Sequence, residues 1–179
     1  MVRHDPFPEF VELLVTHSTA IFQKVKDQYP DEHFYGFGFR TSVYYNYLVA
    51  AGNTEEGLWR YARENACYFP GQTLGQIVRT MRWQSMAWLE AQYWFDRDDQ
   101  FAAITTWHQQ HVPDYHAIPW ATDEEVFNQV DTWWSRMDAS LEAALPLIGE
   151  QLFPHGNPQV HIDAEGEVYL YAVGIDTEQ

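Results

Sequence analysis

Apolar residues recur at helical spacing near the start of the chain. Phe10, Leu13, Leu14, Ile21 and Val25 share one face of a segment that runs from about Pro8 to Tyr29 and stops at Pro30. His17 falls on the same stripe and is expected to be a hydrogen-bonded core residue. The pattern then changes to strict alternation. In Phe34-Tyr35-Gly36-Phe37-Gly38-Phe39 a strand would put Tyr35, Phe37 and Phe39 on one side and Gly36 and Gly38 on the other. Glycines inside a strand mark the close approach of another element. A second strand is expected over Tyr44–Ala51.

Gly52-Asn53-Thr54-Glu55-Glu56 reads as a turn into a helix. Asn53 would cap it, with Glu56 three residues on, and the helix would carry Leu58, Tyr61, Ala62 and Ala66 before Pro70. From Thr73 to Phe95 the spacing of Ile77, Met81, Met86 and Leu89 favours helix with a break near Trp83. A shorter helix is expected over Gln100–Gln110, with Phe101, Ile104 and Trp107 or His108 facing inward, and Pro113 and Pro119 bracket a loop. The longest helix begins at Asp123, after a Thr122–Glu125 capping box. Its stripe comprises Val126, Val130, Trp133, Met137, Leu141 and Ala144, and Pro146 should end or kink it. A terminal hairpin closes the pattern: Gln159–Ile162, a turn over Asp163–Gly166, then Glu167–Ile175. The second strand is apolar enough to lie centrally in a sheet. The elements together predict one α+β domain over residues 1–179, a mixed or antiparallel sheet of about four strands covered by helices from both ends of the chain.

Charge changes this picture more than composition does. The 179 residues carry a net charge of −16. Residues 1–97 hold 11 acidic and 9 basic side chains, whereas residues 98–179 hold 15 acidic ones and a single basic one, Arg136. Such a field repels nucleic acid and anionic membranes and attracts basic partners. Salt adaptation would spread the acid over the whole surface, but here it follows the chain. Cys67 is the one cysteine, which suits a reducing compartment. The start of the chain lacks the apolar core of a signal peptide, and no apolar run reaches the length of a membrane span, so the cytoplasm is the expected location. Aromatics make up 17% of the chain, enough for a core that needs neither disulfide nor structural metal.

No catalytic motif stands out. His108, His111 and His116, with Asp114, are closely spaced, but no H-E-x-x-H pattern is present and Pro113 interrupts the helix. They are expected to be ordinary histidines titrating near pH 6.5, and no metal or cofactor is assigned. Asp96-Arg97-Asp98-Asp99 lacks the glycine and glutamate of a calcium loop. Cys67 reads as a small buried residue and not as a nucleophile. Glu55–Glu56 and Glu124–Glu125 suit the positive ends of helices.

What remains is acid interleaved with aromatics. Asp98, Asp99, Trp107, Asp114, Tyr115, Trp120, Asp123, Glu124 and Glu125 form a candidate surface for a basic protein, with Trp120 as an exposed anchor and Trp133 and Trp134 closer to the core.

The stretch from Phe34 to Leu58 resembles bacterial domain-of-unknown-function family 4303. The likeness rests on a Phe-x-Gly-Phe strand, a second strand, and Asn53-Thr54-Glu55-Glu56-Gly57 leading into a helix. Arg82-Trp83 followed by Trp88 is similar to that family's arginine–tryptophan segment, though Gln84-Ser85 stand where the family has proline. The resemblance implies no agreed activity or site residues. It places the chain among small acidic families that resemble toxin immunity proteins. The function expected is that of a non-enzymatic acidic protein that docks or neutralises a basic protein partner. The alternative is an enzyme or small-ligand protein whose site assembles from residues distant in sequence, among them His108, His111 or Cys67.

Overall fold

The computed structural model describes residues 7–42, 48–84, 87–88, 102–111, 124–165 and 168–175. Among the described residues these elements follow one another: α1 (Phe7–Gln28), β1 (Phe34–Ser42), β2 (Leu48–Thr54), α2 (Glu55–Glu64), a 3₁₀ turn (Ala66–Tyr68), α3 (Leu74–Met81), α4 (Ala102–His111), α5 (Glu124–Leu152), β3 (Gln159–Glu165) and β4 (Val168–Gly174). The strands form one antiparallel sheet in the order β2-β1-β4-β3. The chain is therefore α+β, and β4 is central as its apolar sequence requires. No helix among the described residues is long and apolar enough to cross a membrane.

Each face of the sheet has its own core. On one, α1, α4 and α5 cover Phe34, Phe37 and Phe39 of β1, Leu48 and Ala50 of β2, and Tyr171 and Val173 of β4. On the other, α2, α3, Trp83 and Trp88 cover Tyr35, Ala51, Leu170 and Ala172. Tyr35 is thus on the face opposite Phe37 and Phe39, contrary to simple alternation. The cause is a β-bulge. Phe34 pairs with Thr54 and Gly36 with the adjacent Asn53, so Tyr35 is the extra residue and shares a face with Gly36.

That second face is paved with small residues so that aromatic rings can lie close to the backbone. A Cβ on Gly36 would come within 2.8 Å of the Trp83 ring, and one on Gly174 would overlap the Tyr35 carbonyl oxygen. Trp83 in turn stacks on His161 of β3, with centroids 3.8 Å apart and the rings 6° from parallel.

Several boundaries differ from those read off the chain. β2 extends three residues past Ala51 to Thr54, so Thr54 caps α2 in place of Asn53. The Thr54 Oγ accepts the Gly57 N–H at 2.9 Å, while the Asn53 side chain turns inward and its Oδ1 accepts the Thr54 N–H. Pro146 neither ends nor replaces the last turns of α5, which continues to Leu152. An interior proline costs a helix about 3 kcal/mol. Beyond it, however, α5 buries Ile148 and Leu152, and each such side chain returns about 1.5–3 kcal/mol. Pro146 itself lies on the exposed side. β3 continues through Asp163 to Glu165, past the expected end at Ile162. His17 is half-buried and not enclosed.

Candidate functional site

Charge separates by layer. The α2–α3 side, residues 55–84, carries three acidic and four basic side chains. α5 carries six acidic side chains against Arg136 alone, and residues 159–174 carry three acidic and no Lys or Arg. Along α5 the helical period puts Met137, Leu141, Ala144, Leu145 and Ile148 inward and exposes Asp131, Glu142 and Glu150. Arg136 reaches across to α1. Its guanidinium carbon lies 4.2 Å from the centre of the Phe7 ring on α1. Asp138 turns toward the sheet and accepts the Tyr171 hydroxyl proton. Burial, then that carboxylate, push the Tyr171 pKa well above its ordinary value. Asp131, Glu142 and Glu150 thus form an acidic row on one helix, and α5 packs on the acidic hairpin.

Of the residues expected to form the binding surface, Asp98, Asp99, Asp114, Tyr115, Trp120 and Asp123 lie outside the described residues, as does His116. Glu124 and Glu125 open α5. Trp107 belongs to the core. It is buried, stacks on Phe10 at 4.0 Å and on His111 at 4.2 Å, and offers no anchor to a partner. The periodicity of α4 already pointed inward at this position; its membership of an acid–aromatic cluster was a coincidence of sequence. Asp131, Glu142 and Glu150, which the candidate surface left out, stand at polar positions between the apolar residues of the α5 stripe.

His108 is also enclosed, at 4% exposure, and burial lowers its pKa to about 4 instead of leaving it near 6.5. The His111 Nδ1 lies 2.7 Å from the Trp107 carbonyl and donates to it. Both roles are structural, and no group of three or more metal-ligating side chains occurs among the described residues. Cys67, expected to be buried, is exposed on the 3₁₀ turn.

A second cluster gathers the residues that carried the family resemblance. The Glu55 carboxylate receives two bonds from Arg82 Nη2, at 2.7 and 2.8 Å, and both side chains are nearly enclosed. The Arg82 guanidinium also lies over the Tyr35 ring, 4.4 Å from its centre. The Arg82 carbonyl accepts both the Tyr35 hydroxyl (2.7 Å) and the Trp88 indole N–H (2.8 Å). At the outer edge, Glu56 accepts the His33 backbone N–H at 2.8 Å, and its other oxygen lies 2.5 Å from His33 Nδ1. The hydrogen bond to Glu56 raises the His33 pKa. Burial works against ionisation of Glu56, but His33 outweighs it and leaves the Glu56 pKa below the ordinary value. Sequence reading treated Glu55 and Glu56 as helix-dipole partners. The Arg82 and His33 contacts, 27 and 23 residues away, had no local signal. This cluster ties α2 and the Arg82–Trp88 segment to β1, which is a structural task. Compared with known proteins, the chain matches no family model, no curated protein and no solved structure.

Proposed function

We propose that this chain is a non-enzymatic binding protein whose acidic side, α5 together with the β3–β4 hairpin, docks a basic protein partner in the cytoplasm. Neutralising a toxin is the specific form of this reading, and it works by occlusion without chemistry. The observation that carries it is the segregation of charge: six carboxylates against one engaged arginine on α5, opposite a layer with a slight basic excess. A surface charged merely for solubility has no need of that asymmetry. A one-sided field raises the rate at which a basic partner arrives and orients it on arrival. Membership of family 4303 belongs to the same proposal. Its support is that Asn53–Gly57 and Arg82–Trp88, distant in sequence, meet in one cluster.

Capture of partners from a lysate of the source organism, at low and at high salt, tests the reading. A basic protein retained at low salt and released as salt screens the surface is expected. Its retention should collapse when Asp123, Glu124 and Glu125 are each replaced by lysine. Retention unchanged by those replacements contradicts the reading.

A further inference from the structure

The helices on the α5 side of the sheet do not cover its last strand. β3 ends the strand order. Among the described residues, the apolar core of that side takes side chains from β1, β2 and β4 but none from β3. Directly paired residues share a face. Val160, Ile162 and Ala164 therefore lie on the α5 side, opposite Val173, Tyr171 and Tyr169 of β4. Two branched aliphatic side chains are left open there, Val160 at 38% and Ile162 at 49% exposure, and Ala164 beside them is exposed as well.

The other side of this strip is α5. Asp138 reaches down to accept the Tyr171 hydroxyl proton, and Tyr171 is the residue paired with Ile162. Glu142 stands one turn further along the same flank of the helix. It is exposed, and its charge adds to that of Asp138 in holding the proton on Tyr171, which sets it near the same ring. An exposed carboxylate and exposed aliphatic side chains thus flank one tyrosine on one face of the sheet. Helices cover the rest of this face, and a further helix would continue the layer. Val160 and Ile162, two residues apart on a strand, are separated by roughly 6.7 Å. Apolar residues at i and i+4 of a helix stand about 6 Å apart along its axis, so one apolar stripe covers both.

Charge decides whose helix. A second copy of the chain would bring Asp138 and Glu142 against their own images in a molecule of net charge −16. A helix with lysine or arginine beside its apolar stripe would set that cation against Glu142 while its aliphatic side chains rest on β3. We infer that the strip between α5 and β3 receives a basic amphipathic helix of the partner, with its apolar stripe on Val160 and Ile162 and a cation toward Glu142. This inference rests on the reading that the partner is basic, and adds where the partner binds and in what form.

The test uses the full chain and two labelled peptides of identical leucine–lysine composition. In one the leucines recur at helical spacing, and in the other they alternate with lysine. Fluorescence anisotropy gives their affinities at low salt, and methyl NMR shifts locate them. The helix-period peptide is expected to bind about tenfold more tightly than the alternating one and to shift the methyl signals of Val160 and Ile162. Val160→Thr with Ile162→Thr keeps branched, strand-forming side chains and should weaken that peptide about tenfold. Glu142→Gln, at an exposed helix position, should weaken it about threefold. Leu147→Ser, about two and a half turns past Asp138 and so on the opposite side of α5, should leave it within about twofold. Folding of each variant is checked by circular dichroism. Equal binding of the two peptides, tighter binding of the alternating one, or helix-period binding unchanged by the threonine pair or by Glu142→Gln overturns the inference while the acidic-surface reading stands. No binding of either peptide overturns both. Dimerisation of the chain alone, seen by light scattering and abolished by the threonine pair, assigns the strip to a second copy and overturns the inference.

Discussion

Under α1 and α5 the sheet meets a broad layer of phenylalanine and aliphatic side chains, from Phe10, Leu14, Ile21 and Phe22 on one helix to Met137, Leu141, Leu145 and Ile148 on the other. Under α2 and α3 it meets a smaller core in which Tyr35, Trp83 and Trp88 lie over glycine and alanine and are held by one arginine and its carbonyl. The first layer is stabilised by area and the second by a few directed contacts. The difference teaches where a single substitution does most harm. In the first layer a lost side chain leaves a cavity that its neighbours share. In the second, loss of Arg82 strands a carboxylate where water hardly reaches. The outer surfaces differ as well: the broad layer carries the acid, and the small one is close to neutral.

The largest effect should come from the small core. Arg82→Met leaves Glu55 buried without its guanidinium partner and should cost about 3–5 kcal/mol. Pairing it with Glu55→Leu should restore most of that loss, because the penalty lies in the uncompensated charge. Urea unfolding of the two variants measures both. A double variant no more stable than Arg82→Met would mean that the ring contact with Tyr35, and not the ion pair, holds the segment.

The broad layer should respond to acid through His108. Unfolded His108 takes up a proton near pH 6.5 and the folded residue only at about 4. The unfolded state therefore binds more protons in between. This contribution is complete above pH 6.5 and disappears as pH falls to about 4, a loss of roughly 3 kcal/mol. Stability measured across that window should fall less steeply in His108→Leu than in the unmodified chain. Equal slopes would place the acid sensitivity elsewhere.

A smaller effect sharpens the boundary between strand and helix. Thr54→Ala removes the cap of α2 and should cost about 1 kcal/mol. Thr54→Asn, which can cap in the same place, should cost less. Equal losses would point to the bond from Thr54 to Glu32, and not the cap, as what matters.

The two layers were not equally legible in the sequence. α1 and α5 announce themselves through apolar residues spaced three and four apart, and β4 through an unbroken apolar run, because burial against a sheet demands those periods. The start of α3 falls within the Thr73–Phe95 stretch expected to be helical, and the structure adds a Thr73–Gln76 capping box to it. The small layer rests on contacts between residues far apart in the chain, and periodicity says nothing about those. The bulge at Tyr35 also moves a tyrosine to the face that alternation denied it, and the tyrosine then finds Arg82. Trp107 was legible as core and as interface together, and packing against Phe10 decided between them. The acidic row of α5 lies between these extremes. Its residues are plain in the sequence, but the layer they face is known only from the fold.

The central claim is that the acidic side of the molecule, and not its net charge, recruits a basic partner. The most direct test compares two variants with the same change in net charge, an increase of about three. One neutralises the row with Asp131→Asn, Glu142→Gln and Glu150→Gln. The other places the charge on the opposite layer with Glu64→Lys and Gln72→Lys, both at exposed positions. Binding of a labelled oligolysine peptide is measured for each at low salt. The account predicts that the first variant loses roughly tenfold in affinity and the second stays within about twofold of the unmodified chain. Equal losses in the two, or none in the first, would contradict it.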